Sequence, residues 1–174
     1  MTTPTIQSQK LVTEGTVQLL EFDFTEIGGS AHVYVTTEHR EVSGSLLPIV
    51  TNWDDGDGGV ITNVTFNRLD FEISGISSDL TGSIAEPTLK VAVDSLWALS
   101  DWSSAVSGFT SLLDYRGLKI RRMRQFYNTT GTMSNQVFYV KSVDEMTPSR
   151  ITFKLTPSLG SERLDRPSAR KLEI

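Results

Sequence analysis

Apolar and polar residues alternate at period two over three separate stretches. Leu69, Phe71 and Ile73 alternate with Arg68, Asp70 and Glu72. Leu89, Val91 and Val93 alternate with Lys90, Ala92 and Asp94, and Ile151, Phe153 and Leu155 with Thr152, Lys154 and Thr156. Successive side chains of a strand point to opposite faces, so each stretch reads as a strand with one buried and one wet face. The apolar members of all three are expected to share one core. Further strands are expected at 17–24, 31–36, 60–66, 118–126 and 136–143. Gly28-Gly29 between the first two of these predicts a hairpin turn. The polar run 132–135 is expected to link the last two.

Between 95 and 113 the period changes. Leu96, Trp97, Leu99, Trp102, Val106, Phe109, Leu112 and Leu113 recur at spacings nearer three and four. This predicts one helix or two short ones, with Asp94 or Ser95 capping the first start and Asp101 a second. A further short helix is expected near 5–13. The order of elements, many strands with one helical insertion, predicts a mainly β fold: an antiparallel β-barrel or sandwich with one or two short helices. Residues 1–157 read as a single domain. Residues 158–174, with Arg163, Asp165, Arg166, Pro167, Arg170 and Lys171, read as a charged arm or an ordinary frayed end.

Composition narrows the function. A chain of 174 residues can hold its own core. No apolar run approaches the ~20 residues of a membrane span, and the opening residues resemble no signal peptide. With no cysteine, a disulfide framework, a thiol nucleophile and a cysteine-held iron–sulfur cluster are excluded. Two histidines, His32 and His39, count against a zinc site of the usual ligands, and no cofactor or metal is expected. Sixteen basic against twenty-one acidic residues give a net charge of −5, which disfavours a broad nucleic-acid-binding face.

Two clusters stand out. Asp54, Asp55 and Asp57, interleaved with Gly56, Gly58 and Gly59, are a candidate calcium loop, since calcium takes oxygen ligands. The EF-hand spacing fails, because Thr65 stands where a bidentate Glu is required. A flexible, solvated turn between strands is the reading favoured instead, with an acidic loop facing a partner or a lumen as a related one. Lys119, Arg121, Arg122 and Arg124 form a basic strand that precedes Phe126 and Tyr127. Such a strand can grip a phosphate backbone or pair with carboxylates within and between subunits. Lys119 and Arg121 belong to one face, Arg122 and Arg124 to the other. For catalysis, the serines lie in no G-x-S-x-G elbow, neither histidine has a partner visible in sequence, and there is no P-loop. The residues alone favour structure or binding over an enzyme.

The order of short motifs resembles the lambda-type phage minor tail protein L family. The carrying segments are Leu19-Leu20-Glu21-Phe22-Asp23-Phe24-Thr25-Glu26-Ile27-Gly28-Gly29, then Phe71-Glu72-Ile73-Ser74-Gly75, then Glu86-Pro87-Thr88-Leu89-Lys90-Val91-Ala92-Val93-Asp94. They are followed by Leu113-Asp114-Tyr115-Arg116-Gly117-Leu118-Lys119-Ile120-Arg121-Arg122 and by Ile151-Thr152-Phe153-Lys154-Leu155-Thr156-Pro157. The resemblance spans roughly residues 18–170 as an order of motifs. It does not extend to that family's cysteine-rich iron–sulfur domain. Either this is a short version, or another tail-tip component supplies that domain.

The resemblance implies a structural component of the tail tip of a long non-contractile-tailed bacteriophage. Such a protein assembles in the host cytoplasm and resides in the virion. It forms a homo-oligomeric ring, trimer favoured over hexamer, between the distal tail protein and the central hub or fibre protein. DNA passes through the ring transiently, and no membrane is bound directly. On this reading Asp54, Asp55 and Asp57 face the lumen, and Lys119, Arg121, Arg122 and Arg124 pair with neighbouring subunits. Two rivals stay open. One is a carbohydrate- or receptor-binding sandwich using Trp53, Trp97 or Trp102. The other is a hydrolase with an unrecognised carboxylate pair.

Overall fold

The computed structural model describes residues 16–54, 59–76, 86–126 and 132–157. They form eleven strands: β1 (Thr16–Asp23), β2 (His32–Thr36), β3 (Arg40–Val42), β4 (Ser45–Leu47), β5 (Ile49–Asp54), β6 (Val60–Arg68), β7 (Phe71–Ser74), β8 (Thr88–Ala92), β9 (Lys119–Phe126), β10 (Thr132–Met146) and β11 (Arg150–Pro157). Two short helices, α1 (Val93–Trp97) and α2 (Ser100–Ala105), follow β8. Nine strands make one sheet in the order β5-β6-β2-β1-β9-β10-β11-β8-β7. All its pairings are antiparallel except β2 with β6, which meet in parallel at Val35↔Asn67 and Thr36↔Arg68. The mainly β architecture with two short helices agrees with the sequence pattern.

The open sheet is curled so that the end of β6 and the start of β7 come together. In a flat sheet β6 and β7 would lie about 34 Å apart, seven steps of ~4.8 Å. Only Leu69 and Asp70 separate them in the chain, which limits the gap from Arg68 to Phe71 to about 11 Å. These two residues bond to both sides: Leu69 N–H donates to the Thr36 carbonyl at 2.8 Å, and Ala92 N–H donates to the Asp70 carbonyl at 3.0 Å. The strands therefore wrap one main core. Phe22, Val35, Leu89, Val91, Phe153 and Leu155 are buried in it, with Phe71 and Ile73 packed against its side. The three alternating stretches thus share one core, as their period requires.

Both faces of β1 are covered. Leu20, Phe22 and Phe24 enter the main core, whereas Val17 and Leu19 enter a second one with Ile49, Trp53, Val64, Phe66 and Met123. The β5–β6 hairpin folds over that second face. The helices close the main core from one side through Trp102, which is fully buried and lies 5.1 Å from Phe22 and 5.5 Å from Phe24 between ring centroids.

Several boundaries differ from the sequence reading. The 95–113 segment breaks into α1, α2 and a 3-10 turn, Leu112–Tyr115. Neither helix uses the expected caps: Ala92 and Leu99 precede them, with no side-chain cap bond. The capping box falls on the 3-10 turn, where Ser111 and Asp114 cap each other reciprocally. Backbone N–H donors of Thr110 and Ser111 hold the Asp114 carboxyl below its ordinary pKa. Residues 132–135 belong to β10 rather than to the link before it, and 127–131 lie outside the described residues. Strands β3, β4 and β5 were not expected. The regions 5–13 and 158–174 lie outside the described residues.

Candidate functional site

The Gly28-Gly29 turn sets the geometry of the polar cluster on β1 and β2. Gly28 has φ 90°, a left-handed conformation suited to glycine. The hairpin register then places Asp23 opposite His32 and Glu21 opposite Tyr34. On the other side of β1, Lys119 lies opposite Asp23 and Arg121 opposite Glu21. Alternation puts these residues on the face that β5–β6 covers, so a charged cluster is held beside the second core.

Glu21 is the centre of it, at 4% exposure. Its Oε2 accepts a 2.7 Å hydrogen bond from Trp53 Nε1 and lies 3.9 Å from Arg121 Nη1. Its Oε1 lies 2.8 Å from His32 Nδ1, which is also 3.7 Å from Asp23 Oδ1. Asp23 Oδ1 also accepts from the Thr25 backbone N–H at 2.9 Å and from the Thr25 hydroxyl at 2.6 Å. A buried carboxylate costs several kcal/mol to desolvate, and a nearby guanidinium plus several donors offset that cost. The Glu21–Trp53 bond ties the β5–β6 hairpin to the sheet across 32 residues of sequence.

Tyr34 reports on this charge. Burial pushes its phenol up to about 12, the Glu21 and Asp23 charges add to the shift, and a hydrogen bond to Glu21 contributes. In the unfolded chain the phenol returns to about 10. A raised folded pKa means that Tyr34's contribution is full below pH 10 and is lost as pH rises toward 12. Stability is therefore expected to fall over that window, and Tyr34→Phe to flatten the fall. Denaturant midpoints measured at pH 9, 10 and 11 check this. An equally steep loss in the variant would show that Tyr34 is not the source.

The basic strand is split between environments. Arg121, expected at subunit contacts, is 5% exposed within the chain, where it meets Glu21. Arg122 is half-buried and donates through Nη1 to Gln136 Oε1 at 2.9 Å and through Nε to Gln18 Oε1 at 3.3 Å. Burial, with the charge of Arg124 beside it, lowers the Arg122 pKa. Lys119 and Arg124 are half-buried. Asp54 ends β5, paired with Val60, while Asp55 and Asp57 lie outside the described residues. Trp53 and Trp102 are fully buried and cannot stack on a sugar, whereas Trp97 is 37% exposed.

A second feature lies between β2 and β5. Ser43 (φ 52°) and Gly44 (φ 78°) both adopt positive φ, the signature of a tight two-residue turn, and join β3 to β4. This ribbon forms its own two-stranded sheet, separate from the large one. Leu46 is 59% and Leu47 is 44% exposed. Adjacent residues of a strand point to opposite faces, so both faces of β4 are open to solvent. Val50, Val60 and Ile61 on the neighbouring β5–β6 hairpin are exposed as well.

The sequence pattern did not single out Glu21, Asp23 or β3–β4. Folding the chain at Gly28-Gly29 in register would have brought Asp23 to His32; Trp53 and Arg121 come from too far along the chain for any local pattern to show. No protein-family model matches the chain, and no curated protein matches it significantly.

Proposed function

We propose that the chain is a structural component of the tail tip of a long non-contractile-tailed bacteriophage, a subunit of a ring between the distal tail protein and the central hub or fibre protein. The observation that carries this reading is the separate β3–β4 ribbon with its exposed leucines. An isolated two-stranded ribbon is marginally stable in water, and contiguous exposed apolar residues mark interaction surfaces. Leu46 and Leu47 leave apolar side chains open to solvent on both faces of the ribbon, and Val50, Val60 and Ile61 are exposed on the β5–β6 hairpin. A curled sheet with one main core, and a second core over β1 and β9, supplies the rigid body that a ring subunit needs. The segments that resemble the lambda-type minor tail protein L family fall on β1 and its turn, β7, β8, the 3-10 turn with β9, and β11, each of which contributes residues to the main core.

On this reading the contacts between subunits run through the ribbon and not through Arg121, and the acidic turn that begins at Asp54 faces the DNA channel. The reading as a carbohydrate- or receptor-binding module retains one exposed aromatic, Trp97. In phage carrying Leu46→Asp and Leu47→Asp together, tails are expected to fail while the purified chain keeps its fold. Electron microscopy counts the tailed particles, and circular dichroism reads the fold. Normal tails from this double variant would rule out the ribbon as the assembly surface.

A further inference from the structure

Three donor atoms converge where β1 and β2 leave the Gly28 turn: Glu21 Oε1, an Asp23 carboxylate oxygen and His32 Nδ1, all within 4.8 Å of one another. A tetrahedral zinc ion with bonds of about 2.0–2.2 Å keeps its ligands roughly 3.4 Å apart. The observed separations from His32 Nδ1, 2.8 Å to Glu21 and 3.7 Å to Asp23, bracket that value. One imidazole with two carboxylates is a donor set for a borderline divalent ion.

The supporting contacts are those that a metal site uses to aim its ligands. Glu21 presents Oε1 to the site while Trp53 Nε1 holds Oε2. The Arg121 guanidinium approaches Oε2, the oxygen turned away from His32. Thr25 anchors Asp23 Oδ1 from the backbone and the hydroxyl. Glu21 and Asp23 are buried, whereas the His32 side chain is 38% exposed, so the site has fixed walls and an open side. Lys119, across the ladder from Asp23, is a competing cation.

We propose that Glu21, Asp23 and His32 form a binding site for one divalent transition-metal ion of the zinc type, with water completing its coordination on the exposed side. The ion takes the place of the hydrogen bond between His32 Nδ1 and Glu21 Oε1, and pins the turn end of the β1–β2 hairpin. Counting histidines alone misses such a site, because two of the three ligands are carboxylates.

The test is calorimetric titration of the metal-stripped full chain with Zn2+ alone, for the wild type and for His32→Ala, Asp23→Asn and His39→Ala. The expected result is one ion per chain. Losing a ligand is expected to weaken binding by more than the roughly 10–100-fold that loss of a supporting partner costs. His32→Ala removes a partly exposed side chain. Asp23→Asn keeps an oxygen for Thr25, and circular dichroism verifies that both variants are folded. His39→Ala is expected to bind as the wild type does. No binding by the wild type, binding that survives either ligand substitution, or an equal loss in His39→Ala overturns the proposal.

Discussion

Arg121→Glu is expected to destabilise the fold by about 3–5 kcal/mol, the range for removing one partner of a buried ion pair. The new carboxylate would face Glu21 directly across the β1–β9 ladder. Both positions are nearly inaccessible to water, so neither charge could be hydrated. The loss is specific to the charge: Arg121→Met combined with Glu21→Gln is expected to recover much of it, because apolar or neutral groups of similar volume need no counter-ion. Urea denaturation of the three proteins at neutral pH measures both effects. A loss below about 1 kcal/mol for Arg121→Glu would show that the pair is more hydrated than its burial implies. It follows that a tail-assembly defect in an Arg121 variant would report a failing fold and not a lost contact between subunits.

Trp102→Ala is expected to cost a similar amount, about 3–5 kcal/mol, by a different route. Trp102 is fully buried. Its ring meets Phe22 and Phe24 edge-on and stacks on Tyr115 at 6.0 Å and an interplanar angle of 15°. Truncation leaves a cavity between α2 and the sheet that rigid strands cannot collapse to fill. Trp97, on the neighbouring helix and partly exposed, serves as the comparison, and Trp97→Ala is expected to cost well under half as much. Thermal unfolding of the two variants side by side tests the pair. Equal losses would mean that α1 and α2 contribute as one packed unit and that burial of Trp102 is not the deciding quantity.

The parts of the fold that were legible in sequence are those in which one face is apolar and the other polar. Alternation along β8 and β11 identified their core residues Leu89, Val91, Ile151, Phe153 and Leu155, although the opposite face of β11 is also largely covered, with Thr152 and Thr156 buried. β1 follows the rule less cleanly: Val17, Leu19 and Leu20 are buried on two different faces, and a buried charge stands at Glu21. The stretch 40–54 gave no signal because Leu46 and Leu47 are adjacent and both exposed, which mimics no periodic element. The caps of α1 and α2 were misplaced because a helix of five or six residues, held by tertiary packing, does not depend on its first turn. The candidate metal ligands escaped notice for a geometric reason. Asp23 and His32 are brought together by hairpin register, and the groups that orient Glu21 come from β5 and β9.

The sheet order also has a consequence for synthesis on the ribosome. β1 is central, with β2 on one side and β9 on the other, and the Gln18–Arg122 bond between β1 and β9 spans 104 residues. Until β9 has emerged, a nascent chain therefore presents β1 with one edge unpaired, Leu20 and Phe22 uncovered and Glu21 without its guanidinium. The β9–β10 and β10–β11 pairings join neighbours in sequence and need no such wait, whereas β8 waits in turn for β11, the last strand. The N-terminal hairpin therefore completes its pairing only once β9 has emerged, and until then the free edge of β1 is open to mispairing.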